Sequence, residues 1–372
     1  MADARIIAGR VARLRAHLAE RGWDAALIRS NADLRWLTGA ERLFDDELAH
    51  TALVTADGLW LHTDSRYFNT FRERLGEGTP WLVDQERVGA AAWAAAHVRD
   101  AGARTVAVEG TLELSLYDDL VAELSRAGVA DELPPMRGDV RDLRMVKDEG
   151  ELALMRRAQE VTDDAFDHMC GWLHPGVTEM QARVELESFM LTHGGDGLSF
   201  GTIMASGPNG ANPHAVPGQR VICRGDLVVM DYGATYCDYH ADMTRTVAVG
   251  EAGSEERHVY DVVRRAHETA AAAVRPGCVG RAIHEVAAGV IAEAGYGDYF
   301  GHGLGHGVGI EIHENPSFGP RWERPCPEGS VVTVEPGIYL PGRFGIRLED
   351  CGVIGPGGYE PFTRSTHELV VV

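Results

Sequence analysis

Two segments of this chain repeat within it, and that repeat constrains the fold more than any other feature. HPGVTEMQARVELESFMLTHGG (174–195) resembles RPGCVGRAIHEVAAGVIAEAG (275–295). Each is a Pro-Gly turn, a short spacer and an amphipathic segment at helical spacing that ends at glycine. Further on, GDLVVMDYG (225–233) aligns without gaps onto GSVVTVEPG (329–337). Pro175 and Pro276 are 101 residues apart, and Gly225 and Gly329 are 104 apart. Offsets this similar imply two related half-domains about a pseudo-twofold axis. In both strand-like segments an acid follows an apolar run and precedes a glycine two positions later: Asp231 in one, Glu335 in the other. One acid per half places a site on the axis between them.

The duplication occupies only part of the chain. With 372 residues, the sequence exceeds a single core of ~100–150 residues, so two domains are expected. The segment LPPMRGD (133–139) contains two prolines that should end any regular element, which sets the boundary between 1–138 and 139–372. The first part alternates helix and strand: a helix over 3–21, a strand over 24–30 and a hairpin over 51–64 turning at Asp57-Gly58. A helix over 89–101, a strand over 105–110 and a helix over 114–127 complete it. One long amphipathic helix over 144–169 opens the second part. The fold class is α+β, with a smaller α/β domain preceding the duplicated one.

Charge excludes some partners. The 56 acids against 35 bases leave a formal net charge of -21. The Lys and Arg excess needed to neutralise phosphates is missing, so neither nucleic acid nor an anionic membrane is an expected partner. The six cysteines (170, 223, 237, 278, 326, 351) include no CxxC pair, which argues against a disulfide framework or a thiolate zinc site. No apolar run approaches the ~20 residues of a membrane span, and the N-terminus lacks the apolar core of a signal peptide. A cytoplasmic protein is expected.

Asp231 ends LVVM and Glu335 ends VVTV. Either alone reads as a turn-forming acid at a strand end. Their neighbours change that reading. Asp242, in YHADMTRTVAV, sits on a segment that returns through ATYCDY to the level of Asp231. Glu349, in FGIRLEDCGVI, is the corresponding acid after EPGIYLPGRF. Four converging carboxylates repel one another unless cations hold them, and two divalent ions match their charge. A fifth donor lies in FGHGLGHGVGIEIHENP (300–316), where His302, His306 and His313 stand among alternate glycines that allow close approach of backbone or ligand. A nucleotide-binding glycine loop is the weaker reading, because no GxxxxGK[ST] run is present. Four carboxylates and one imidazole suit hard or borderline ions such as Mn²⁺, Co²⁺ or Zn²⁺. A pair of such ions can activate water and polarise a carbonyl, which is hydrolytic chemistry.

MDYG (230–233), ADMTRT (241–246), GHGLGHGVGIEIHE (301–314), VTVEPGIY (332–339) and GIRLED (345–350) resemble the signature blocks of the pita-bread metallopeptidases. The two-domain layout is similar to the Xaa-Pro peptidases, that is, prolidases and aminopeptidases P. The first domain resembles the creatinase-type N-terminal domain through its element order and SNADLRWLTG (30–39). The resemblance implies a pita-bread catalytic domain with Asp231, Asp242, His306, Glu335 and Glu349 as ligands of two divalent ions, Mn²⁺ foremost. It implies that His214 and His313 contact substrate and stabilise the tetrahedral intermediate, and that Glu335 also accepts the water proton. His302 would line the pocket for the residue after the scissile bond, with Arg347 supporting that pocket or Glu349. It implies a homodimer acting on a short peptide with proline after the scissile bond. Methionine aminopeptidases share the ligands but usually lack so large a first domain, and creatinase lacks the ligand set. A non-proline or non-peptide amide substrate, or a binding module without catalysis, are the competing functions. The intact ligand set argues against the last.

Overall fold

The structure is a computed structural model that describes residues 4–45, 47–75, 79–129 and 132–372. It divides into two compact units, 1–144 and 145–372. The sequence expectation drew the line at 138/139. The helix Asp139–Leu143 stays with the first unit because His17 and Arg21 both bind Asp139 Oδ1, at 2.7 and 3.2 Å, and Arg144 pairs with Asp33 at 2.7 Å.

The first unit is a six-stranded sheet in the order Leu82–Asp84, Leu59–His62, Thr51–Thr55, Ala25–Ile28, Val106–Glu109, Pro135–Met136. The central strand AALI is buried at every position, as helix-covered strands are, so it shows no polar alternation. The expected hairpin turns at Asp57-Gly58, with Thr51 opposite His62. Helices Ala90–Ala101 and Leu114–Ala127 pack Trp93, Val98, Leu120 and Leu124 onto it. The two prolines do not end regular structure as expected. Pro135–Met136 forms a parallel edge strand, in which the Pro134 carbonyl accepts from Val108 N–H at 3.0 Å. Only an edge position tolerates the missing donor.

The second unit is built twice. In its first half Leu227–Tyr232 pairs antiparallel with Met243–Ala248 and Ile203–Ser206. Between the first two strands the chain makes a small hairpin, Ala234–Tyr236 against Tyr239–His240. In the second half Val331–Val334 pairs with Asp350–Gly355, and the hairpin Gly337–Leu340 against Phe344–Arg347 is again inserted between them. A helix pair covers each half: Glu149–Trp172 and Glu179–Thr192 on the first, Ser254–Ala273 and Gly280–Glu293 on the second. The duplicated helices Glu179–Thr192 and Gly280–Glu293 are each 14 residues long. Both follow a Pro-Gly turn whose glycine is left-handed, Gly176 at φ 100° and Gly277 at φ 80°, a conformation that glycine adopts without steric cost.

The long helix starts at Glu149, five residues later than the pattern predicted. Asp148 caps it in a reciprocal box with Glu151, which satisfies two orphan donors. Lys147 is instead buried in an ion pair with Glu314 at 2.9 Å. Asp242 also departs from expectation: Thr244, not Asp242, stands across from Asp231. The chain is pinched there, since a Cβ on Gly233 would lie 1.9 Å from the Ala241 carbonyl oxygen.

Candidate metal centre

The two halves bring their acids to one place by equivalent means. Asp231 lies at the end of Leu227–Tyr232, and Asp242 immediately precedes Met243–Ala248. Glu335 immediately follows Val331–Val334, and Glu349 immediately precedes Asp350–Gly355. Val334 pairs with Asp350, so Glu335 and Glu349 continue that register side by side. His306 enters from the glycine-rich segment, which is a strand only over His306–Gly307. Glycine is required at Gly305, where a Cβ would lie 2.0 Å from the Thr333 carbonyl oxygen. That approach draws His306 to the strand that carries Glu335.

Ligand atoms of Asp242, His306 and Glu349 all lie within 4.8 Å of one another. His306 Nε2 is 3.4 Å from Asp242 Oδ2 and 3.5 Å from Glu335 Oε1. All nine residues singled out in the sequence line one cavity of about 560 Å³: His214, Asp231, Asp242, His302, His306, His313, Glu335, Arg347 and Glu349. His214 is exposed at its wall. His313 stacks obliquely on His306 with ring centroids 4.3 Å apart.

The acid cluster is not without a cation of its own. Arg347 is buried and donates to Asp231 Oδ2. It also donates to Tyr339 Oη at 2.8 Å and Thr244 Oγ1 at 3.0 Å. Arg347 therefore sets one guanidinium against the four acids, a net charge that still calls for cations.

Electrostatics show the same demand. Burial pushes Asp242 up to about 6 and Glu335 up to about 7, with the neighbouring acids adding to both. Glu349 is raised further by burial and by the charges of Asp242, Glu335 and Asp231. Burial works to lower His306, yet its hydrogen bond to Asp242 and the charge of Glu335 lift it to about 9. Asp231 Oδ1 is buried with no hydrogen-bond partner among the described residues. Buried carboxylates whose ionised forms are disfavoured without a counter-charge, together with an orphaned oxygen, fit divalent metal ions, and the oxygen-rich donor set suits hard to borderline ones.

Three residues of the site escaped the sequence reading. Thr244 donates to Glu349 Oε2 at 2.7 Å. Tyr339 Oη lies 2.9 Å from His302 Nε2 and joins that ring to Arg347. Thr333 Oγ1 accepts from His306 N–H at 3.1 Å and donates to Glu335 Oε1 at 3.4 Å. Period-two alternation was the available signal, since Thr244 is two positions after Asp242 and Thr333 two before Glu335. Burial holds the His302 and His313 imidazoles down at about 4, so both are neutral at neutral pH.

Residues 153–356 match the model of metallopeptidase family M24, and residues 10–146 match the creatinase/prolidase N-terminal domain. A peptidase of Bacillus subtilis, YqhT, is 35% identical over 97% of this chain and 99% of its own. The Xaa-Pro dipeptidase of Pyrococcus horikoshii is 31% identical over 93% of this chain and 94% of its own. Among solved structures, an Xaa-Pro dipeptidase from Bacillus anthracis superposes with a TM-score of 0.91 at 33% identity, covering 98% of this chain and 100% of that one. An X-Pro aminopeptidase from Thermotoga maritima gives 0.86 at 35% identity over 98% and 100%. The duplicated strand-and-helix halves, the convergent carboxylates and these likenesses agree: the chain belongs to metallopeptidase family M24, a pita-bread catalytic domain preceded by a creatinase/prolidase N-terminal domain.

Proposed function

We propose that this chain is a hydrolase that cleaves the peptide bond between an N-terminal residue and proline, using two divalent ions. The observation that carries the reading is that the four carboxylates read from the strand ends and the five residues implied by the resemblance line one cavity, in a chain whose relatives include Xaa-Pro dipeptidases and an X-Pro aminopeptidase. Asp231, Asp242, His306, Glu335 and Glu349 would hold the ions. Bound there, the ions supply Lewis-acid polarisation of the scissile carbonyl and a lowered water pKa.

The remaining steps belong to the protein. Glu335 takes the proton of the attacking water. His214 and His313 donate to the oxygen on which charge develops, where preorganised donors contribute most. His302, fixed through Tyr339 to Arg347, shapes the pocket after the scissile bond. A pyrrolidine ring with φ locked near about −65° is selected there by shape. The same reading takes Mn²⁺ as the native metal, a homodimer as the assembly and the cytoplasm as the location. Among the described residues no helix is long and apolar enough to cross a membrane.

Hydrolysis of Ala-Pro, Ala-Pro-Ala and Ala-Ala at equal concentration with Mn²⁺ tests the substrate. Ala-Pro is expected to be cleaved fastest, as by a dipeptidase. Preference for Ala-Pro-Ala assigns an aminopeptidase, and faster cleavage of Ala-Ala than of both proline substrates refutes the reading. Sedimentation velocity tests the dimer.

A further inference from the structure

A second cluster of metal-ligating side chains lies outside the cleft. His267, on the helix Ser254–Ala273, is 1% exposed, and among the described residues neither of its ring nitrogens has a hydrogen-bond partner. Buried polar atoms are rarely left so, because each forfeits its water without a replacement. Its Nε2 lies 3.5 Å from Asp350 Oδ2. From the C-terminal segment, His367 Nε2 lies 2.8 Å from the same oxygen. The two imidazoles meet edge to face, with centroids 4.8 Å apart and planes at 72°. One ligand atom from each of the three residues falls within 4.8 Å of the others. Arg245 occupies the other carboxylate oxygen, Oδ1, at 2.8 Å, so Oδ2 alone faces the imidazoles.

We propose that His267, Asp350 and His367 form a separate mononuclear site for a borderline divalent cation of the zinc class, which clamps the C-terminal segment to the helix Ser254–Ala273.

Two imidazole nitrogens and one carboxylate oxygen select zinc, cobalt, nickel or copper over magnesium and calcium, which require oxygen-rich sets. The cation takes the place of the proton between His367 and Asp350 and gives His267 Nε2 the partner it lacks. The His367 side chain is 31% exposed and lies at ion-pair distance from Glu268, 3.9 Å from its Nδ1. A carboxylate beside the outer nitrogen helps to orient an imidazole ligand. Exposure at His367 also leaves the fourth position open to water. The mechanical consequence follows from the neighbouring bonds. Arg245 donates to the Ser365 and Thr366 carbonyls, and Ala248 exchanges hydrogen bonds with Val370 and Val372, so the segment that carries His367 is already docked on the first half of the duplicated unit. On the second half it is held by His367 to Asp350 and by Glu368 to Arg264, and a cation adds His267 to those ties. The Arg245 charge opposes a cation here, so this site fills after the cleft with its four carboxylates.

The test is zinc binding to the full-length apo chain by equilibrium dialysis, with bound metal counted by mass spectrometry. Wild type is expected to bind one more, weaker equivalent than His367→Leu, and that equivalent should raise the Tm of wild type only. Asp242→Asn, which alters the cleft, should keep the weaker equivalent, so failure of the cleft reading and failure of this one are separable. His267→Gln is the second variant, and partial exposure of His367 protects the first from misfolding. Equal zinc stoichiometry in wild type, His367→Leu and His267→Gln overturns the proposal. So does magnesium or calcium matching zinc at the weaker site.

Discussion

Arg347 donates to Oδ2 of Asp231 across 116 residues of sequence, which places one buried guanidinium inside a ring of four carboxylates. The same side chain holds Tyr339 and, through Thr244, Glu349. It works as a planar fork with several fixed partners, a geometry that a lysine ammonium cannot reproduce. Arg347→Lys is therefore expected to lower metal affinity or turnover by about 10- to 100-fold, the scale for outer partners of metal ligands. Metal content and kcat measured together on the purified variant check it, and wild-type values for both would remove Arg347 from the site.

Asp242 shares His306 Nε2 and stands near both Glu349 and Glu335. Asp242→Asn leaves the shape but replaces an anionic donor with a neutral amide. Chelation of wild type should abolish hydrolysis and added Mn²⁺ should restore it, whereas Asp242→Asn should not recover with Mn²⁺. Full turnover in wild type shown to be metal-free by mass spectrometry would contradict both expectations.

His214 and His313 line the cavity on separate segments. Replacement of either by Ala should lower kcat by roughly 10²–10³, the scale for removing one transition-state donor, while metal content stays at the wild-type level. Unchanged kcat in both variants would return them to ordinary wall residues.

Lys147 and Glu314 form an ion pair in which each side chain is 1% exposed. Lys147→Met removes the counter-charge of the buried Glu314 carboxylate and should destabilise the second unit by about 3–5 kcal/mol. The double variant Lys147→Met/Glu314→Gln removes both charges and should recover much of that loss. Urea unfolding of the three proteins measures the difference, and a double variant no more stable than the single one would refute the charge argument.

Glu109 in the first unit is pushed from 4.5 up to about 8, first by burial and then by the charge of Asp33. The N–H groups of Arg29 and Ser30 pull it the other way but do not prevail. Between those two values the folded chain keeps a proton that the unfolded chain has lost. This contribution to stability is complete below about 4.5 and declines as pH rises to about 8. Glu109→Gln mimics the protonated carboxyl, so its urea midpoint should fall less than that of wild type between those pH values. Parallel curves for the two proteins would show that Glu109 does not titrate there.

What the sequence determined by itself was whatever repeats or alternates locally. The two Pro-Gly turns with their helices, the paired apolar runs ending at Asp231 and Glu335, and the glycines flanking His306 were all legible. Each depends on neighbours within a few positions: a left-handed φ, an alternating face, a missing Cβ. The four carboxylates could be chosen for the same reason, since their type and strand-end positions needed no knowledge of contacts, whereas His306 was separated from His302 and His313 only by the family resemblance. The tertiary structure decided the rest. Nothing local reveals that Arg347 turns to Asp231 or that Thr244 reaches Glu349 across 105 residues. The start of the long helix at Glu149 was decided partly by a distant partner, because Lys147 is held by Glu314, 167 residues away. The cluster of His267, Asp350 and His367 likewise has no sequence signature, since its members come from a helix, a strand and the C-terminal segment. Long-range pairings of single side chains leave no periodicity in the chain, and only folding brings them together.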